Sequence, residues 1–218
     1  MDGSPKRTRP RTARTTLGPL APLLGKAWCK VFGWKVEGGK PPVDKAVLIA
    51  APHTSNWDLP FMLAVAWACE TDVSWFGKHT LFEFPFGGIM RWLGGIPVDR
   101  RSRHNMVEQA VQTFAERDYL VLAVPPEGTR GKTTRWKTGF YYIASGAKVP
   151  IMLGYLDFGR KAGGFGTPFY PTGDIEADFA EFRTYYAKVT AKYPDLACDV
   201  ALEPAAVARS FAKSPLLN

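Results

Sequence analysis

Cysteine and histidine are scarce in this 218-residue sequence, with three copies of each. The cysteines are Cys29, Cys69 and Cys198, and no Cys-x-x-Cys spacing occurs. An odd number of thiols without paired spacing argues against a disulfide framework, and so few ligands argue against a metal requirement. Because no secretory signal is recognisable, we expect a reducing compartment, the cytoplasm.

Long apolar runs are absent as well. The longest uninterrupted run extends from Leu59 to Cys69 and contains Pro60, whereas a membrane-spanning helix needs about 20 residues. The sequence also lacks an internal repeat, the Gly-x-Ser-x-Gly elbow of many hydrolases, and any helix-turn-helix, zinc-finger or aromatic ribonucleoprotein signature. We therefore expect a protein that sits on a membrane at most, with no nucleic acid as a partner.

Positive charge is in excess, at a formal net charge of +8. Residues 1–16 hold five Lys or Arg residues against one Asp, and we interpret them as a solvated, disordered basic arm. The excess predicts an anionic partner. The sequence is also rich in aromatics, with 14 Phe, 7 Trp and 8 Tyr, some of which are candidates for a membrane-facing surface.

Short apolar runs alternate with amphipathic segments along the rest of the chain. Buried strands are predicted at 46–51, 73–76, 96–98, 119–124 and 149–156. Helices are predicted at 22–34, at 105–117 and at 134–145, the last of them ended by Gly146. Two further helices are predicted from a cap at Ser55 or Asn56 to about Glu70 and from a cap at Asp174 to about Tyr193. A broken helix is predicted at 81–93. The Gly-rich stretch 159–166 is predicted to be a loop. This alternation predicts a single layered α/β domain with a mostly parallel sheet flanked by helices.

The predicted division of the chain has four parts: the arm at 1–16, an N-terminal amphipathic helix and loop at 17–43, the α/β domain at 44–193, and a C-terminal tail at 194–218. In the first helix, one face carries Leu24, Ala27, Trp28 and Val31, and the other carries Lys26 and Lys30. Such a face either docks on an anionic membrane or packs on the core. The neighbouring basic arm favours the membrane, but the pattern leaves both open.

The first candidate site is His53 with Asp58, an H-x4-D spacing. The histidine follows a predicted strand, and the aspartate falls in the first turn of the next helix. A carboxylate in that position can hold one ring nitrogen protonated and leave the other free as a base. The alternative is structural, because Ser55-x-x-Asp58 is also a capping-box pattern.

The second candidate site is the block 127–130, which follows another buried strand, at the edge where α/β proteins bind ligands. Arg130 offers a planar fork of donors suited to phosphate, and Gly128 lets backbone approach a ligand. Glu127 is expected to orient Arg130 or to accept a hydrogen bond from a substrate hydroxyl. Arg100 and Lys78 are further candidate phosphate ligands. The alternatives are an ordinary surface ion pair and a solvated charge run.

Together these blocks resemble the glycerolipid acyltransferase family, typified by lysophosphatidate acyltransferases, in a small bacterial branch. The resemblance covers roughly residues 44–172 and rests on blocks in the family's order: 53–58, 78–82, 94–100, 127–130 and 149–151. Two positions depart from the family pattern. Pro125 stands where an aromatic is usual, and Gly131 follows Arg130 where serine is frequent. The resemblance therefore carries the reaction class further than the identity of the acceptor.

The resemblance implies an O-acyltransferase of phospholipid biosynthesis. Its acyl donor would be acyl-coenzyme A or acyl carrier protein, and its acceptor a hydroxyl of a lysophospholipid such as 1-acylglycerol-3-phosphate. It implies direct transfer with His53 as general base and Asp58 as its partner. The acceptor-binding residues it implies are Lys78, Arg100, Glu127, Gly128, Thr129 and Arg130. No cofactor is expected beyond the thioester, and the expected location is peripheral, on the inner face of the cell membrane. The alternatives are a different lipid acceptor, a membrane-associated lipid hydrolase, and a non-enzymatic adaptor for anionic lipid.

Overall fold

The computed structural model describes Gly18, residues 20–98 and residues 103–202. The predicted arm at 1–16, Arg100 and the residues after 202 lie outside this range. In chain order the elements are α1 Leu20–Val31, β1 Lys35–Glu37, β2 Lys45–Ala51, α2 Asp58–Ala68, β3 Val73–Lys78, α3 Gly87–Trp92, β4 Gly95–Val98, α4 Arg103–Glu116, β5 Leu120–Val124, α5 Gly139–Ala147, β6 Ile151–Asp157, β7 Ala162–Phe165 and α6 Ile175–Tyr186. Short 3₁₀ turns lie at His79–Phe82 and Pro194–Leu196.

The strands of the described residues form one sheet in the order β1-β7-β6-β2-β5-β3-β4. Its neighbouring strands are parallel except for the antiparallel pair β6 and β7. Parallel neighbours need crossover connections, which place helices on the faces of the sheet. The predicted α/β domain with a mostly parallel sheet flanked by helices is confirmed.

Both faces of the central strands are buried, because alternate side chains point to opposite sides of the sheet. On one side Val47, Ile49 and Leu122 pack with aromatic residues of α4, α5 and α6. On the other side Leu48 and Val121 belong to a cluster that includes residues of α2. Burial on both faces explains why these strands appear in the sequence as continuous apolar runs.

Helix α1 packs against α2 through small residues. Gly25 and Cys29 are buried, and a Cβ atom added to Gly25 would lie 2.4 Å from the carbonyl oxygen of Ala64. Leu24 and Val31, which the sequence places on the apolar face, are 49% and 79% exposed. The helix therefore packs on the domain through the side that carries Gly25 and Cys29, and it leaves Leu24 and Val31 exposed. We call this exposed side the open face of α1. None of the described helices is long and apolar enough to span a bilayer.

Several predictions of local structure are wrong. The helix predicted to continue to about Tyr193 ends at Tyr186. The stretch 159–166 is not a loop throughout, because it contains β7, which lies between β1 and β6. A Cβ atom at Gly164 would lie 2.2 Å from the carbonyl oxygen of Glu37, so glycine there permits close strand packing. The helix predicted at 134–145 begins only at Gly139 and continues through Gly146. Its C-cap is Lys148, which takes the left-handed conformation expected of Gly146.

The packed domain extends beyond both predicted boundaries, 44 and 193. Strand β1 precedes residue 44 and adds an edge to the sheet, but its three residues are too few to show a periodic pattern. Past residue 193, Val200 is buried in the main core, and Leu202 pairs with Trp136 in an isolated bridge.

Candidate active site

The candidate site lies at the sheet edge where β2 and β5 end. These strands are parallel neighbours, with Ile49 opposite Val124, so the residues that follow them emerge side by side. His53 follows β2 and Glu127 follows β5. The backbone N–H of His53 donates to Oε1 of Glu127 at 3.0 Å. The fold thus brings the first two sequence blocks into direct contact, in the position where open α/β sheets bind ligands.

Asp58 holds the ring of His53. The two side chains meet at 3.1 Å between Nδ1 of His53 and Oδ2 of Asp58. The same oxygen accepts the backbone N–H groups of Thr54 and Ser55, at 2.9 Å and 2.8 Å. Asp58 is 6% exposed, and the side chain of His53 is 24% exposed. With a proton on Nδ1, the ring donates to Asp58 and leaves Nε2 free to accept a proton.

The capping alternative is not realised as a helix cap, because α2 begins at Asp58 and its N-cap is Trp57, without a side-chain capping hydrogen bond. The carboxylate of Asp58 accepts the N–H of Ser55 in the loop before the helix. The hydroxyl of Ser55 accepts the N–H of Trp57 instead, at 3.1 Å. One carboxylate oxygen therefore orders both the loop before α2 and the ring of His53, and the two roles coexist.

His53 and Asp58 line a cavity of about 790 Å³ between the sheet and α2. Most of its lining is apolar and comes from strands, from α2 and from the segment after β3, including Leu48, Leu59, Met62, Val65, Trp75, Phe76, Leu81, Met90 and Phe165. Thr129 and Arg130 add a polar side. The cavity therefore combines a base, a cation and an apolar wall, which suits a ligand with a polar head and a long apolar chain.

Glu127 lines a different cavity. Its side chain is 3% exposed and borders a cavity of about 530 Å³ together with Trp136 and Arg183. Among the described residues, Oε2 of Glu127 has no hydrogen-bond partner, and the same holds for Nε1 of Trp136. Burial raises the pKa of the Glu127 carboxyl, and the N–H of His53 partly offsets that shift. The structure thus ties Glu127 to the backbone of His53.

The remaining predicted residues lie in the loop after β5, at the end of β3 or beyond the described range. Arg130 and Lys78 are exposed, while Arg100 is outside the described residues. Gly128 has a φ of +66°, and a Cβ atom there would lie 2.4 Å from Nζ of Lys137. Lys137 is thus a cation beside the 127–130 loop that sequence reasoning missed. Within the described residues no cluster of three His, Cys, Asp or Glu side chains could hold a metal ion.

Comparisons with known proteins agree with these blocks. A family model described as Acyltransferase matches residues 34–152, more than half of the chain. A 1-acyl-sn-glycerol-3-phosphate acyltransferase of Haemophilus influenzae is 31% identical over 148 residues, which are 63% of this chain and 60% of that protein. One of Escherichia coli is 32% identical over 145 residues, or 62% and 54% of the two chains. The aligned regions span little more than half of these relatives.

A solved structure shares the fold. The crystal structure of the 1-acyl-sn-glycerophosphate (LPA) acyltransferase from Thermotoga maritima has a TM-score of 0.54 and 23% identity, and the match covers 77% of this chain and 74% of that one. The family match includes His53, Asp58 and the 127–130 loop. The chain therefore belongs to the acyltransferase family.

Proposed function

We propose that the protein is an O-acyltransferase that moves a fatty-acyl group from a thioester to the free hydroxyl of a phosphorylated lysolipid, such as 1-acylglycerol-3-phosphate. One observation carries the proposal: the hydrogen-bonded pair of His53 and Asp58 lines the same apolar cavity as Arg130. The names of the curated relatives support this acceptor and a role in phospholipid synthesis.

His53 acts as the general base. Its Nε2 takes the proton of the acceptor hydroxyl while the hydroxyl oxygen attacks the thioester carbonyl. The tetrahedral intermediate then collapses and the carbon–sulfur bond breaks. The departing thiolate takes the proton from Nε2 of His53 and leaves as a thiol. Asp58 holds the Nδ1 proton and stabilises the imidazolium. General-base assistance contributes about 10²–10⁴ in rate, or roughly 3–5 kcal/mol.

The loop after β5 places the acceptor phosphate. Arg130 lines the cavity near Thr129, and a guanidinium binds phosphate through paired hydrogen bonds. Lys137 lies beside Gly128 on the same loop and adds positive charge. Lys78 and Arg100 complete the proposed set of cations.

The acyl chain occupies the apolar part of the cavity. Leu59 and Met62 of α2 and Trp75 and Phe76 of β3 are among the residues that line it. Burial of each chain methylene in such surroundings contributes about 0.8 kcal/mol. Acyl-coenzyme A and acyl carrier protein both remain donors under this proposal. No cofactor is invoked besides the thioester.

The open face of α1 rests on the membrane. Leu20, Leu23 and Leu24 are 57%, 63% and 49% exposed, and the exposed Lys26 and Lys30 lie on the same helix. Apolar side chains beside lysines are typical of helices that lie in the plane of a bilayer. The enzyme is thereby held peripherally at the inner face of the cell membrane.

An acceptor screen tests the proposed function. The full chain is incubated with isotope-labelled acyl-coenzyme A and a panel of lysolipids, with and without phosphate, and mass spectrometry follows the label. We expect labelled diacyl product from phosphorylated lysolipids and none from the His53→Ala variant. Labelled free fatty acid formed without any acceptor would identify a hydrolase instead. Intact thioester under all conditions would leave only an adaptor.

A further inference from the structure

The segment between β3 and β4 carries large apolar side chains that are exposed in the described part of the chain. We call residues 81–92 the apex. The exposed fractions are 48% for Leu81, 98% for Phe84, 63% for Phe86, 52% for Ile89 and 39% for Trp92. A concentration of exposed apolar side chains in one short segment marks an interaction site.

The base of the apex is firmly anchored. Phe82 is 7% exposed, and its ring centroid lies 6.0 Å from that of Trp75. Arg91 donates to the carbonyl oxygen of Phe82 at 3.3 Å and places its guanidinium 5.4 Å from the centre of the Phe82 ring. The backbone conformation is thus fixed from within, and the neighbouring Phe84 and Phe86 project outward as a consequence.

The apex borders the candidate active site. Leu81, at its start, and Met90, within α3, both line the cavity that contains His53 and Asp58. Trp92, at its end, contacts Trp67 of α2, with 6.3 Å between ring centroids. Whatever binds the apex therefore also lies next to the cavity that contains His53 and Asp58.

The charges around the apex favour an anionic lipid surface. Lys78 and Arg91 are exposed along the segment, and Glu83 is the acidic residue between positions 78 and 92. Aromatic and aliphatic side chains flanked by cations match the boundary between headgroups and acyl chains. Each cation near an anionic surface adds to the attraction.

We propose that the apex inserts into the headgroup–acyl boundary of an anionic bilayer, so that the cavity takes apolar chains directly from the lipid. This surface is separate from the open face of α1. The second part of this proposal, that lipid chains enter the cavity, rests on the proposed function. The first part, insertion of the apex, does not, because it is measured without donor or acceptor.

The test measures sedimentation of the full chain with vesicles of phosphatidylcholine mixed with phosphatidylglycerol. The variant is Phe84→Ser/Phe86→Ser, and the matched control is Tyr170→Ser. Tyr170 is 64% exposed and adjoins Phe169, which pairs with Ile151 at the start of β6. Because β6 is parallel to β2, this position lies at the amino ends of the strands, away from the carboxyl ends that the candidate site adjoins. We expect the double variant to lose about tenfold or more in vesicle partitioning, and the control to match the wild type.

A second variant keeps the proposal testable if the double variant misfolds. Phe84→Trp places a fluorophore at the most exposed position of the apex, and brominated lipids quench an indole that enters their acyl region. We expect more quenching for Phe84→Trp than for the wild type, and no such gain for Tyr170→Trp.

Two results would overturn the proposal. One is unchanged sedimentation of a folded Phe84→Ser/Phe86→Ser variant together with an unquenched Trp at position 84. The other is conversion of a dimer to a monomer by the same double variant without loss of vesicle binding, because the apex would then bind a second copy of the chain. A protein that binds vesicles through the apex but fails the acceptor screen would contradict the proposed function and leave this inference standing.

Discussion

At the scale of single residues, one oxygen of Asp58 serves both His53 and the loop before α2. Oδ2 faces the Nδ1 atom of His53 and two backbone N–H groups. The orientation of His53 and the order of the loop therefore depend on one atom, and a substitution of Asp58 affects both. His53 is different, because its side chain is partly exposed and its removal leaves the loop bonds of Asp58 in place.

The first prediction separates these roles. His53→Ala should lower kcat by about 10²–10⁴ with little change in melting temperature. Asp58→Asn should lower kcat as well, because the control of the tautomer is lost, and should also lower the melting temperature. Initial-rate assays and thermal denaturation of the two variants measure both effects. Full activity of Asp58→Asn with a lowered melting temperature would leave Asp58 only the structural role of ordering the loop before α2.

The second prediction concerns Glu127, whose Oε1 accepts the N–H of His53. Glu127→Gln keeps an acceptor oxygen and should retain most of kcat. Glu127→Ala leaves the N–H unpaired, at a cost of about 1–3 kcal/mol in stability, and should lower kcat because His53 shifts. An acceptor KM raised by Glu127→Gln, with kcat unchanged, would mean that the carboxylate contacts the acceptor instead.

The pH dependence of stability gives an independent check on Glu127. Burial raises the pKa of this carboxyl above its unfolded value, so the folded state favours the protonated form. Its contribution to stability is fully present below the unfolded pKa of about 4.3 and is lost as pH rises through the folded pKa. Relative to Glu127→Gln, the wild type should therefore lose stability over that interval in denaturant titrations. Parallel curves for the two proteins would contradict the raised pKa.

At the scale of elements, the loop after β5 holds Arg130 and Lys137, two of the cations proposed for phosphate. The third prediction is that Arg130→Ala raises the acceptor KM more than the donor KM, by the equivalent of about 1.5–3 kcal/mol for a charge-assisted contact. Lys137→Ala and Arg100→Ala should act in the same direction to a smaller extent. Lys132→Ala, an exposed neighbour, is the control. Equal effects of Arg130→Ala on both substrates would place the arginine outside the acceptor site.

The elements also show what the sequence could and could not predict. Strands β2 and β5 were predictable because burial on both faces makes them continuous apolar runs. Strand β7 was not predictable. Its glycines permit close packing against β1, but in the sequence a glycine-rich stretch has the composition of a loop. The helix end predicted at Gly146 was wrong because the left-handed residue that ends α5 is Lys148.

The candidate site also contains contacts that the sequence could predict and contacts that it could not. The pairing of His53 with Asp58 follows from local spacing and was predictable. The contact between His53 and Glu127 joins residues 74 positions apart and depends on the register of β2 with β5. Lys137 was missed because it reaches Gly128 only after its backbone N–H bonds to the carbonyl of Pro126 at 2.8 Å. Sequence motifs named the candidate groups, whereas strand register decided which of them meet.

At the scale of the whole molecule, two separate apolar surfaces lie next to α2. Helix α1 packs on α2 beside Trp67, and Trp92 of the apex contacts the same tryptophan. The outer leucines of α1 and the phenylalanines of the apex are therefore parts of one rigid body. Removal of residues 1–34 is a poor test of docking, because Cys29 and Trp34 are buried in the cluster under α1.

The fourth prediction uses substitutions to ask whether both surfaces bind a bilayer at once. Leu23→Ser/Leu24→Ser and Phe84→Ser/Phe86→Ser should each weaken vesicle binding about tenfold. Contacts made together by one rigid body contribute additive free energies, so the quadruple variant should lose about a hundredfold. Binding of all variants should also fall with added salt, because charges near an anionic surface are screened. If the two surfaces instead bind bilayers alternately, either pair of substitutions alone would leave binding within about twofold of the wild type, and the whole loss would emerge only in the quadruple variant.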